Sequence, residues 1–128
     1  KTILIMRLIK TMSKEDLLLS SVDLVSKTYI ELGQNNVEEE TIEIMATSLA
    51  ADLARMYKNF YFEDAQKAFN LGVRSPITND FIHLTVPTYM KWLRKHKDLV
   101  WEARARVDRG ENPKAVPNYR PEPKLLNN

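Results

Sequence analysis

The sequence predicts an all-α fold, a small bundle of three to four helices followed by an extended Pro-rich C-terminal tail. Two observations carry this. Apolar residues recur at three- and four-residue steps through most of the chain, and four of the six prolines fall after Gly110, where that period stops. With 128 residues, 44% of them apolar and 28% charged, the chain is long enough to bury one core and too short for most large catalytic architectures. The expected divisions are an N-terminal arm over 1–12, a helical domain over 13–110 and the tail over 111–128.

Ser13, with Asp16 three residues on, forms an N-cap signal. Leu18, Val22, Val25, Tyr29 and Leu32 then supply one helical face, and Gly33 suits the left-handed stop. Asn36 with Glu39 gives a second capping signal. Glu38, Glu39, Glu40 and Glu43 complement the positive end of the helix dipole. The second helix presents Ile42, Met45, Leu49, Leu53, Met56 and Phe60, while Ala46, Ala50 and Ala54 allow close approach, so the first two helices are expected to pair antiparallel. A third spans about 62–71, with Phe62, Ala65, Ala68 and Phe69 on one side and Gly72 as terminator.

Turn residues follow, and Phe81-Ile82-His83-Leu84 reads as a short extended piece or an apolar plug. The last helix starts near Val86-Pro87 and ends before Gly110. Val86, Leu93, Val100 and Val107, with Tyr89 or Met90 and Ala103, form a short heptad seam, and His96 lies on that side. Lys91, Arg94, Lys95, Lys97, Arg104 and Arg106 make the other surface basic.

The absence of cysteine excludes disulfides, a thiol nucleophile and thiolate metal sites. No apolar run reaches the ~18 residues that a membrane span requires. KTILIMRLIKTM is too short in its apolar part, and lacks a cleavage site, for a secretory signal. An opening on Lys1 rather than Met leads to the expectation of further residues upstream. The three glycines are scattered, with neither GxxxxGK nor GxGxxG, and the two histidines show no metal-ligand spacing. The expectations are therefore no enzyme, no metal, no cofactor, no membrane association and no small-molecule substrate. Glu39 and Glu43 share a helical face with Asp52 two turns further on, a conceivable carboxylate site, but capping and the dipole explain the glutamates more simply.

Charge is distributed unevenly. Residues 1–84 carry 9 Lys or Arg against 12 Asp or Glu, and residues 85–128 carry 10 against 5. The basic third points to an acidic partner, nucleic acid or an acidic protein surface, although basic residues also favour the C-terminal parts of exposed helices. The tail has no core of its own, so ordering it requires a receiving surface, since fixing each residue costs about 1–2 kcal/mol.

The segment from Phe62 through the basic helix resembles a helix-turn-helix in its ingredients, with a small alanine, a glycine at the corner and Thr88, Tyr89 and Lys91 early in the second helix. Twelve residues separate Gly72 from Thr85, more than that motif's turn. Over about residues 40–98 the order Met56-Tyr57, Phe62-Glu63-Asp64-Ala65, Ala68-Phe69 and Trp92-Leu93-Arg94 resembles small all-helical proteins of unknown function carried by bacteriophages and mobile elements. Ser75-Pro76-Ile77 stands where those proteins carry a Gly-aromatic-Gly run.

The resemblance and the tail together imply a non-enzymatic assembly protein, a phage virion or head-tail connector component. It would work as a homo-oligomer or with a protein partner, in the host cytoplasm or the virion, and Tyr119, Arg120, Leu125 and Leu126 would dock the tail. The alternative is a helix-turn-helix-like DNA-binding accessory of phage replication or regulation. In that case Thr88, Lys91, Arg94, Lys95 and Lys97 would contact the nucleic acid.

Overall fold

The computed structural model describes residues 6–34, 36–75 and 83–110. They form a short 3-10 turn, Ile9–Thr11, and four helices: α1 (Lys14–Glu31), α2 (Glu39–Met56), α3 (Phe62–Val73) and α4 (Val86–Asp108). No strand occurs among the described residues, so the fold is all-α as the periodicity predicts. The tail expected over 111–128 lies outside the described residues.

Helix α1 begins as expected, with Ser13 Oγ accepting from the Asp16 amide at 3.0 Å. Its buried face is rotated from the predicted one. Leu17, Leu24, Val25 and Tyr29 are buried, whereas Leu18 is 38% exposed. Gly33 adopts φ 82 and ends the helix in the left-handed region, which costs glycine no Cβ strain. Helix α2 starts two residues later than the Asn36 signal implies. Glu38 is the N-cap, and no side chain caps it. Ala46, Leu49 and Leu53 are fully buried, and α1 packs chiefly along α2. Helix α2 stops at Met56, which is 37% exposed, so Phe60, expected to end its apolar line, is buried from the following loop instead, together with Tyr57.

Part of the expected N-terminal arm is knit into the bundle. The Ile9 amide donates to Phe60 O at 2.9 Å, Lys10 to Lys58 O at 3.0 Å, and the Phe62 amide to Arg7 O at 2.7 Å. That last bond supplies a partner for one of the amides left open at the start of α3. Ile9 is buried in the core, and the Arg7 guanidinium reaches Glu63 at 2.9 Å and Ser20 at 2.9 Å while lying 5.0 Å from the Phe62 ring centroid.

Helix α3 carries the predicted face, with Phe62, Ala65, Ala68 and Phe69 all buried. Gly72, expected to terminate it, instead lies inside the helix, which runs on to Val73. Its lack of a side chain serves packing, because a Cβ there would stand 2.3 Å from the Trp92 indole of α4. Leu84, from the expected plug, is buried, and its amide meets Gln34 Oε1 at 3.4 Å. Phe81 and Ile82 lie outside the described residues.

Three phenols are buried, and burial pushes each pKa above the ordinary 10.0: Tyr29, Tyr57 and, most strongly, Tyr89. At Tyr89 the hydrogen bond to Asp52 adds to the desolvation, and the Asp52 charge adds further. The fold favours the neutral phenol, so stability is complete below pH 10.0 and falls as pH rises beyond it. Unfolding midpoints at about pH 8 and about pH 11 should show this loss, and Tyr89→Phe should reduce the difference.

Candidate nucleic-acid interface

Helix α4 is capped by Thr85, whose Oγ1 accepts from the Thr88 amide at 3.2 Å, with Pro87 in the first turn. Its buried line is Tyr89, Leu93, His96 and Ala103, with Val100 and Val107 partly buried. Val86, the expected start of the seam, is 38% exposed.

Several contacts fix the helix's rotation. The Tyr89 hydroxyl donates to Asp52 at 2.6 Å, and its ring stacks on Phe69 with centroids 6.0 Å apart. Trp92 meets Phe69 edge-on at 5.4 Å and covers Gly72. His96, 1% exposed, faces the Asp64 carboxylate at 3.3 Å and packs edge-on against Phe60. His96, on the seam side of α4 as the heptad spacing predicts, is a full core residue tied to the start of α3.

With that side buried, a helix advancing about 100° per residue turns positions 91, 94 and 95 outward. Lys91, Arg94 and Lys95 are all exposed and make no ion pair with a described residue. The structure thus brings together three of the five predicted nucleic-acid residues. Lys97 lies on one flank, half-buried, with its ammonium 6.0 Å from the Tyr57 ring centroid and 5.0 Å from that of Trp101. Thr88 falls on the opposite flank, and its hydroxyl lies 2.8 Å from that of Thr85 in the cap, so it is occupied locally. The docking residues Tyr119, Arg120, Leu125 and Leu126 lie outside the described residues.

The placement of charge along α4 is informative. Residues 86–97 hold Lys91, Arg94, Lys95 and Lys97 and no acid, while Asp98, Glu102 and Asp108 all come later. The helix dipole favours cations only in the last turn, so it does not explain this cluster. Like charges three and four residues apart cost about 0.2–0.5 kcal/mol per pair, so the cluster slightly destabilises the isolated helix.

Trp101, 58% exposed, escaped the sequence reading. The signal was present: it stands off the 89, 93, 96, 100, 103 line, one turn beyond Lys97.

A groove of about 400 Å³ lies between α1 and α3, floored by Leu24 and Phe69 and walled by Asp23, Lys27, Glu63 and Lys67. Arg7–Glu63 and Arg74–Glu31 pairs tie α1 and α3 together near it. Its walls mix both signs, and none of the buried side-chain atoms without a hydrogen-bond partner lines it, so it selects no ligand class. Among the described residues no group of three or more His, Cys, Asp or Glu could hold a metal, and no helix is long and apolar enough to cross a membrane.

Comparison with protein-family models finds no match to this chain, and searches of curated proteins and of solved structures likewise find none.

Proposed function

We propose that this chain is a non-enzymatic helical module that binds nucleic acid through the exposed face of α4. One observation carries the reading: Lys91, Arg94 and Lys95 share an outward face and make no ion pair with a described residue, on a helix whose opposite side is locked into the core. Guanidinium and ammonium groups so placed offer phosphate contacts without sequence preference, and each phosphate neutralised releases condensed counterions. The long connection between α3 and α4, and the occupied Thr88 hydroxyl, favour backbone contact over the base reading of a helix-turn-helix recognition element.

A gel shift with duplex and single-stranded DNA at low and moderate salt tests this. The wild type should bind at low salt, and Lys91→Glu/Arg94→Glu/Lys95→Glu should weaken binding at least tenfold with an unchanged helical circular-dichroism spectrum. Absence of wild-type binding at low salt would remove the reading.

A second reading, an assembly subunit of virion or head-tail connector type, draws on Leu19, Ile30 and Ile44, which are 64%, 66% and 62% exposed on α1 and α2. It predicts an oligomer or hetero-complex, with docking lost on removal of residues 111–128. A monomer that joins no complex, or an assembly indifferent to that truncation, would contradict it.

A further inference from the structure

The structure carries an exposed indole where the cations lead. Trp101 is 58% exposed, in contrast to Trp92, which is packed on Gly72 and Phe69. An indole has one of the largest apolar surfaces any side chain can bury, and here more than half of it stays in solvent, with the Lys97 ammonium over the ring. Lys91, Arg94 and Lys97 form an i, i+3 row with neighbouring Cβ atoms about 5–6 Å apart. Trp101 follows one turn beyond Lys97 and two turns beyond Arg94, so it continues the same side of the helix. The Lys97 ammonium lies over the Trp101 ring, 5.0 Å from its centroid, so a base stacking on the ring meets a cation already there, which can turn from the ring to the strand's phosphate.

We infer that the surface takes single-stranded nucleic acid, with an unpaired base stacking on Trp101 and the backbone tracking Lys97, Arg94 and Lys91. The inference rests on the nucleic-acid reading above and narrows it. A duplex keeps the faces of its bases inside the stack, so Trp101 gains nothing from it, whereas a single strand offers both a π-face and phosphates. Stacking of this kind tolerates any base. An acidic protein segment could also answer the cations. What favours the nucleic acid is the pairing of an exposed flat aromatic ring with the cations Lys91, Arg94 and Lys97, which outnumber the one acid between them and the ring, Asp98.

The test uses the full chain with labelled oligothymidylate and a duplex of equal length, read by fluorescence anisotropy and by tryptophan emission. The single strand should bind more tightly and quench the emission. Trp101→Ala should abolish that quenching and weaken single-strand binding about tenfold, with duplex binding changed less than twofold. Trp101→Phe should retain most of the affinity. Equal losses on both substrates, or an unchanged single-strand affinity in Trp101→Ala, would overturn the stacking role while leaving the phosphate surface standing. Binding of neither substrate at low salt would remove the nucleic-acid reading itself, and selective capture of an acidic peptide in its place would assign the face to a protein partner.

Discussion

Replacing Asp64 with alanine is expected to lower the unfolding free energy by about 2–4 kcal/mol, combining loss of a helix cap with the orphaning of a buried ring nitrogen. The residue is 5% exposed, and its side chain holds two elements at once. One carboxylate oxygen accepts from the Tyr61 amide at 3.0 Å at the start of α3, and the other faces His96 Nε2 of α4 at 3.3 Å. His96 Nδ1 has no hydrogen-bond partner, so Asp64 supplies the hydrogen bond of that buried ring. Facing a carboxylate, Nε2 is the donor. Asp64→Asn keeps an acceptor for the Tyr61 amide and should cost about half as much. Urea unfolding followed by circular dichroism measures both, and an alanine variant within about 0.5 kcal/mol of wild type would show that the link between α3 and α4 is not structural.

Gly72→Ala should destabilise by about 1–3 kcal/mol, and the sign should reverse when Trp92 is also replaced by leucine. In an ordinary helix interior, alanine is favoured over glycine by about 0.8–1.0 kcal/mol. Here the added Cβ would come within 2.3 Å of two indole carbons, Cδ2 and Cε2, and the rigid ring is held edge-on by Phe69. In the Trp92→Leu background the obstruction is gone and the helical preference should reappear as a gain. If alanine costs nothing beside Trp92, the close approach of α3 and α4 described above is wrong.

The helices themselves were legible in the sequence because each has a strong apolar period and most have a cap or a stop: Ser13 and Gly33 around α1, Pro87 and Gly110 around α4. The period placed Phe62, Ala65, Ala68 and Phe69 correctly on α3. It failed at Leu18 because Leu18 and Leu19 lie four and three residues before Val22, whereas Leu17 meets its next apolar partner on the helical face only at Leu24, two turns on, across Ser20 and Ser21. Only the neighbouring α2 decides which faces inward. Gly72 read as a stop because glycine's chain-ending and close-packing roles look alike in sequence. The contact with Trp92 is long-range and leaves no local trace.

The candidate surface was legible as composition but only partly as geometry. The basic residues of α4 were visible, yet their split into an outward trio, a flanking Lys97 and an occupied Thr88 follows from which side Tyr89, Leu93 and His96 bury. Burial of His96 depends on Asp64, 32 positions away, and attachment of the N-terminal segment depends on Arg7 meeting Glu63, 56 positions away. No pattern within a window of one or two turns contains either pair.

The claim that α4 presents a phosphate-binding face is tested most directly by the salt dependence of DNA binding. For three phosphates contacted by Lys91, Arg94 and Lys95, the logarithm of the association constant should fall against the logarithm of salt concentration with a slope of about −2 to −3. Replacing Arg94 alone with alanine should make that slope shallower by about one phosphate's share. A salt-independent affinity, or a slope that Arg94→Ala leaves unchanged, would contradict the account.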